Sequence, residues 1–231
     1  GQLGDGTNTD RKTPVRIMGN VKDVSGGDGE ALVVCNDGTL YLLTPGKPFG
    51  PRKIMEGVKK AACWGVNMVL RNDGTLWTWG FNNDGQLGNG STQSFYSPQQ
   101  AGMIMSGVSD ITSGDRHAMA IKTDGTLWGC GNNDYGKIGV GTKQECVKTP
   151  TQILSGVRSV ITASNHTLAI LNNGTLMAWG SNFDGALGDG TKIHRRKPVK
   201  IHTNVSKAAS GDTFTVFITN DGNFFFTGSL E

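Results

Sequence analysis

Two of the four histidines are the first residues whose type and spacing could do chemistry. His117 and His166 each lie eight residues before the glycine of a turn-like Asp-Gly or Asn-Gly pair, so they occupy the same place in two similar stretches. The corresponding places elsewhere hold Glu30, Val66 and Phe214. A position that accepts His, Glu, Val and Phe is typical of packing. We therefore predict neither a catalytic base nor a metal ligand there.

The acidic and glycine-rich loops are the second candidates for chemistry. Calcium needs six to eight oxygen ligands, and no loop here places three carboxylates at alternating positions. Asp and Asn beside Gly more often satisfy the backbone of a turn. The glycines at 85, 88 and 90 lack the Lys-Ser/Thr of a phosphate-binding loop, and no Gly-x-Ser-x-Gly elbow occurs. The four cysteines contain no Cys-x-x-Cys pair. The sequence predicts no enzyme and no cofactor.

The composition points away from nucleic acid and from membrane insertion. The net charge is +3, and the longest basic run is Arg195-Arg196-Lys197. No stretch approaches the ~18 apolar residues of a membrane-spanning helix. Glycine is unusually frequent, with 35 residues among 231, which indicates many tight turns.

A turn triplet that ends in glycine recurs five times along the chain. The glycines are 36, 51, 49 and 48 residues apart. Asp-Gly and Asn-Gly between apolar runs favour a hairpin with a type I′ turn, and short β-branched or aromatic segments flank each triplet. The triplets are Asn36–Gly38, Asn72–Gly74, Thr123–Gly125, Asn172–Gly174 and Asn220–Gly222.

Two further markers keep the same register. A Gly-x-Leu/Ile-Gly loop begins at residues 1, 85, 136 and 185, and a proline precedes each turn glycine by 24, 23, 27, 24 and 24 residues. We expect that proline to open an edge strand, where no hydrogen-bond donor is needed. The second copy is short because its loop is reduced to Pro45–Gly50. We predict one domain, 1–231, with repeats at about 1–44, 45–80, 81–131, 132–180 and 181–228.

The combined pattern resembles the regulator of chromosome condensation repeat family, in the bacterial type of the repeat. The resemblance rests on Trp179-Gly180-Ser181-Asn182 followed by Gly185-Ala186-Leu187-Gly188, and on similar loops elsewhere. It implies an all-β fold, a β-propeller with one four-stranded blade per ~50-residue repeat. Members usually close seven blades, so five repeats predict part of a larger ring, with a smaller ring as the alternative. Leu230-Glu231 resembles a vector scar, which favours a fragment. An open arc would expose a strand edge to self-association.

Aromatic residues outside the repeated positions are the candidate partner-binding residues. Aromatic side chains on exposed loops, with arginines beside them, are typical anchors of protein interfaces. The alternative is that they fold back to cover blade edges. The candidates are Phe81, Phe95, Tyr96, Tyr135, Phe183, Arg195 and Arg196.

The resulting functional hypothesis is a non-catalytic protein–protein interaction module. The terse, uniform repeats favour a secreted or surface bacterial protein, and therefore an extracellular or cell-surface location. The resemblance also implies a second hypothesis, a guanine-nucleotide exchange regulator of a small GTPase, although no matching wedge insertion is found. A glycan-binding propeller is the third. The identity of the protein partner is left open.

Overall fold

The computed structural model describes residues 3–27, 29–45 and 50–229. These residues form nineteen strands in five antiparallel sheets, with short 3-10 turns at Pro98–Gln100 and Asp134–Gly136 and no α-helix. The all-β prediction is confirmed. No helix within these ranges has the length and apolar character needed to cross a bilayer.

Each sheet is built from strands that follow one another in the chain. The first three sheets contain β1 (Val21–Gly26), β2 (Ala31–Cys35), β3 (Leu40–Leu43) and β4 (Arg52–Met55); β5 (Val58–Cys63), β6 (Asn67–Arg71), β7 (Leu76–Trp79) and β8 (Gly102–Met105); and β9 (Val108–Ser113), β10 (His117–Lys122), β11 (Leu127–Asn132) and β12 (Cys146–Leu154). The last two contain β13 (Val157–Thr162), β14 (His166–Leu171), β15 (Leu176–Gly180) and β16 (Arg195–His202); and β17 (Val205–Ser210), β18 (Phe214–Thr219) and β19 (Phe224–Gly228).

The boundaries between the sheets do not coincide with the boundaries of the predicted sequence repeats. The outermost strand of a sheet falls in the following sequence repeat, so that the second sheet, for example, runs from Val58 to Met105. The first strands β1, β5, β9, β13 and β17 contact one another in that order. They therefore form the inner side of a row of blades, and the fourth strands form its outer side. Residues 46–49, most of the shortened loop, lie outside the described residues.

The Asp-Gly and Asn-Gly triplets close hairpins, but the predicted turn type is wrong. In the third blade the amide of Gly125 donates to the carbonyl of Lys122 over 2.9 Å. Gly125 has φ 79°, whereas Asp124 is not among the described residues with positive φ. A type I′ turn needs positive φ at both central residues, so these hairpins have three-residue loops that end in a left-handed glycine. Asp124 instead accepts a hydrogen bond from the Thr126 amide over 2.9 Å.

None of the five repeated prolines is the first residue of an edge strand, so that prediction is wrong, although three of them lie in or directly beside a fourth strand. Pro150 and Pro198 lie within the fourth strands β12 and β16, and Pro51 directly precedes β4. Pro98 differs because it opens a 3-10 turn that Ser97 caps. An outer strand pairs on one side only, so a residue without an amide donor costs no ladder hydrogen bond there.

Apolar side chains from neighbouring sheets form the cores between the blades. One core joins the second and third blades through Leu70, Leu87 and Ile111, each at most 1% exposed. Another joins the third and fourth through Met119 and Trp179, both fully buried. Stability therefore comes from stacking one sheet on the next, as in other repeat proteins.

The repeated histidine position fastens one blade to the next. The Nε2 atom of His117 lies 3.3 Å from the Thr167 hydroxyl of the following blade. At the next interface, the Nε2 atom of His166 lies 3.3 Å from the hydroxyl of Thr215. Both rings are fully buried. Between the second and third blades the same positions hold an apolar pair, Val66 and Ala118. The position is one of packing between blades.

Candidate partner-binding face

Two sets of loops share one face of the row of blades. Because the strands in each sheet are antiparallel, the loop from first to second strand and the loop from third to fourth strand emerge at the same end. The Asp-Gly and Asn-Gly turns emerge at the opposite end. We call the end with the two loop sets the loop face. It carries the long segments 81–101, 133–145 and 181–194.

A buried asparagine organises each long loop. In the second blade, the Oδ1 atom of Asn82 accepts from the Leu87 amide over 2.9 Å. Its Nδ2 atom donates to the carbonyl oxygens of Ser91 and Gln93 over 3.1 and 2.9 Å. Asn133 and Asn182 make the equivalent contacts in the next two blades. The asparagine of the Trp-Gly-x-Asn motif therefore folds the loop and leaves other loop residues free to face solvent.

A cleft of about 470 Å³ opens on the loop face across the first three blades. Its walls include three aromatic side chains that stay substantially exposed: Trp64 at 52%, Phe81 at 37% and Tyr96 at 71%. Glu30 and Asp115 supply carboxylates at the same cleft. The structure thus brings together Phe81 and Tyr96, two of the residues predicted from sequence, with a tryptophan that was not.

The floor of the cleft is held by backbone contacts between neighbouring blades. The Gly65 amide donates to the carbonyl of Gly114 over 3.3 Å. A Cβ atom at Gly65 would lie 1.6 Å from the carbonyl oxygen of Asp115, so only glycine fits there. Arg116 also lines the cleft. Its Nη1 atom lies 4.0 Å from Oδ2 of Asp84, and its Nε atom lies 3.8 Å from Oδ2 of Asp115. Its charge is therefore balanced locally.

A second aromatic cluster lies on the loop face between the third and fourth blades. The rings of Tyr135 and Phe183 meet edge to face, with centroids 5.2 Å apart, and His194 lies 4.9 Å from Tyr135 and 4.3 Å from Phe183. Tyr135 adopts φ 58°, a left-handed conformation that costs energy for a bulky residue. Phe183 remains 57% exposed. These two predicted residues thus form a surface patch separate from the cleft.

The other three predicted residues have structural contacts. Phe95 is half-buried against the core between the second and third blades. Arg195 donates through Nε to Asp189 over 2.6 Å and so braces its own loop. Arg196 donates to the carbonyl of Thr142 in the preceding blade over 3.4 Å. Phe95 and Arg195 thus contact the scaffold itself, and a role of either residue in partner binding stays a prediction.

Sequence reasoning missed Trp64, although a signal for it exists. When the copies are aligned on the turn glycine, Trp64 falls where the others have Asp28, Asp115, Ser164 and Asp212. A tryptophan at a position otherwise held by small polar residues breaks the repeat. The other four tryptophans follow the turn and belong to it. Of those, Trp79 and Trp179 are buried, as expected for packing between blades.

The buried titratable groups belong to the scaffold. Burial lowers the pKa of His166 to about 4 and that of His117 well below its ordinary range. Lys137 is 1% exposed, and its Nζ atom donates to the carbonyl of Ser164 over 3.0 Å. Burial lowers its pKa as well. The described residues contain no group of three or more His, Cys, Asp or Glu that could hold a metal.

Comparison with known sequences settles the family. The sequence profile of the regulator of chromosome condensation (RCC1) repeat matches residues 73–121, 124–170 and 173–218. The chain belongs to this family. The three matches begin within the second, third and fourth turn triplets, and each ends before the next triplet. A second RCC1 profile matches residues 108–137. The resemblance found in the sequence is confirmed.

Several eukaryotic proteins are similar to this RCC1-repeat chain. The ultraviolet-B receptor UVR8 of Arabidopsis thaliana is 31% identical over 163 residues, which cover 61% of this chain and 37% of the receptor. The secretion-regulating guanine nucleotide exchange factor of Bos taurus is 29% identical over 162 residues, covering 59% of this chain and 35% of that protein. The chain therefore spans about a third of the length of these relatives.

Solved structures confirm the propeller fold. Human WBSCR16 superposes with a TM-score of 0.80 at 21% identity, over 90% of this chain and 61% of that one. Prp20p of Saccharomyces cerevisiae superposes with a TM-score of 0.76 at 19% identity, over 95% of this chain and 58% of Prp20p. That structure is described together with the binding properties of Prp20p to Gsp1p and histones. At these identities the likeness concerns the fold alone.

Proposed function

We propose that this chain is a protein-binding propeller and that its loop face binds a small GTPase. The single observation that carries the proposal is the cleft, where Trp64, Phe81 and Tyr96 stay exposed on a rigid base. Tryptophan and tyrosine are enriched among residues that dominate binding energy at interfaces. Exposed aromatic area without a role on the scaffold is a marker of an interaction site.

The choice of partner is supported by the relatives. One of them is named as a guanine nucleotide exchange factor, and Prp20p is described by its binding to Gsp1p and histones. This support favours the exchange-regulator hypothesis over the secreted bacterial module. The relatives named above come from eukaryotes, which gives no support to a bacterial source. The cellular compartment and self-association remain predictions.

The experiment measures release of a fluorescent GDP analogue from a panel of small GTPases, together with direct binding to each. The expected result is binding to at least one GTPase, with faster nucleotide release at substoichiometric amounts of the chain. Trp64→Ala combined with Tyr96→Ala should weaken binding at least tenfold, since losing a well-packed aromatic anchor costs ~2 kcal/mol or more. The matched control is Phe224→Ala, which removes an aromatic that is also exposed, at 66%, on the last sheet.

The outcomes separate the three hypotheses. Binding that depends on the cleft but leaves nucleotide release unchanged would assign a protein-interaction module without exchange activity. Binding in a glycan array, lost with the same double variant and absent for every GTPase, would assign the cleft to a sugar. The proposal fails if no GTPase binds, or if the double variant and the Phe224 control bind alike.

A further inference from the structure

A buried acceptor in the wall of the cleft has no donor among the described residues. Asn67 lines the cleft and is 5% exposed. Its Nδ2 atom donates to the Oε1 atom of Glu30 over 2.7 Å. Its Oδ1 atom is buried and accepts no hydrogen bond from any described residue. A buried acceptor left unpaired costs about 1–3 kcal/mol, so this atom would gain from a donor brought by a ligand.

The charge around this acceptor favours a cation. Glu30 and Asp115 line the cleft, and Glu30 takes part in none of the ion pairs among the described residues. Arg116 is already engaged by Asp84 and Asp115. The Glu30 carboxylate accepts from Asn67 but has no cation as partner in those pairs, and it lies next to the unpaired amide oxygen. Both oxygens accept hydrogen bonds from the same kind of group.

The aromatic walls narrow the choice further. Trp64, Phe81 and Tyr96 present ring faces or edges to a cleft that holds a carboxylate. A guanidinium group stacks on aromatic rings and donates from several N–H groups in one plane. A quaternary ammonium could use the rings but could not donate to Asn67. From this juxtaposition we infer that the cleft binds an arginine side chain of the partner protein, with Glu30 and the Oδ1 atom of Asn67 as acceptors.

This inference rests on the proposed function and is tested without the partner. The probe is the tripeptide acetyl-Gly-Arg-Gly-amide, titrated into the full chain while the five indole N–H signals are followed by NMR; Trp64→Ala assigns the Trp64 signal. We expect a saturable shift of that signal with a millimolar dissociation constant. The same peptide with citrulline, a neutral isostere of arginine, should bind at least tenfold more weakly, since hydrogen bonds to charged groups are the stronger ones.

Matched variants locate the charge. Glu30→Gln keeps an acceptor for Asn67 but removes the charge, so it should weaken binding of the arginine peptide roughly tenfold. Glu56→Gln removes a carboxylate from an exposed position outside the cleft lining and should leave affinity unchanged. Equal binding of the citrulline peptide, an unaffected Glu30 variant, or no saturable shift of Trp64 each overturns the inference. If a GTPase nevertheless binds through Trp64 and Tyr96, the proposed function stands and only the arginine is wrong.

Discussion

His166 makes the stability of the protein depend on pH in a defined window. Burial lowers its pKa from 6.5 to about 4, because the ring is enclosed between the fourth and fifth blades. In the unfolded chain the ring takes up a proton below about pH 6.5, whereas in the folded protein it stays neutral until about pH 4. Its contribution to stability is therefore complete above pH 6.5 and is lost as the pH falls toward 4.

The magnitude follows from the shift. One pKa unit corresponds to about 1.4 kcal/mol, so protonation of His166 across the whole window lowers the free energy of unfolding by about 3 kcal/mol. Between pH 7 and pH 5 the unfolded ring becomes almost fully protonated and the folded ring does not, which gives a loss of about 2 kcal/mol. His117 adds to the total in the same direction, since burial lowers its pKa too.

A double variant isolates the part due to His166. His166→Val with Thr215→Ala copies the natural pair Val66 and Ala118 from another blade interface and leaves no hydroxyl without its partner. Urea unfolding of both proteins at pH 7, 6 and 5 gives the dependence of the free energy of unfolding on pH, as one slope for each protein. We expect the variant to be less stable at pH 7 and to lose about 2 kcal/mol less than the parent on going to pH 5. Equal slopes would refute the reasoning.

Three further predictions concern the scaffold. Asn82→Ala leaves the buried Leu87 amide and the carbonyl oxygens of Ser91 and Gln93 without their partner and should lower the free energy of unfolding by ~2 kcal/mol, whereas Asn83→Ala, one residue along and exposed, should change it by about 0.5 kcal/mol or less. Gly65→Ala should cost more than about 2 kcal/mol because its Cβ atom meets a backbone carbonyl, while Gly102→Ala, which meets nothing within 4 Å, should be neutral in the same urea assay. Of the four thiols, Cys146 should be the one that reacts quickly with a disulfide reagent in the folded protein, because the others are buried; rapid labelling of two or more would contradict the packing.

The repeated part of the fold could be predicted because its signals are local. The triplet at Thr123–Gly125 and its counterparts identify hairpins whatever lies around them, and the strands fall where the flanking apolar runs predict. The turn type could not be predicted from Asp-Gly alone, because a three-residue loop and a two-residue loop use the same glycine. The capped 3-10 turn at Pro98 uses Ser97 and Gln100. The similar pair Thr149 and Gln152 around Pro150 lies within a strand, so this local pattern does not decide between the two structures.

The site could be predicted only in part, because its residues meet across blades. Phe81 and Tyr96 were found as aromatics on a long loop. Their neighbour Trp64 comes from a short loop of the same blade, and Glu30 from another blade, so no spacing in the sequence joins them. Arg195 had a usable signal, since Asp-Gly-Thr-x-x-x-Arg occurs at both Asp5 and Asp189 and forms the same ion pair each time.

Residues that recur from repeat to repeat maintain the scaffold, whereas residues that differ from the repeat are the candidates for partner recognition. The asparagines at 82, 133 and 182 hold every long loop in one geometry, so a scaffold residue can be recognised because it recurs. A propeller built only from such residues would present the same surface at each blade and could not place one partner in one orientation. Recognition therefore needs exceptions, and the loop face has them at Trp64, where the other copies have Asp or Ser, and at Tyr135, which accepts a strained backbone. Because the two lie at different blade interfaces, a rigid partner that contacts both is held in a single register.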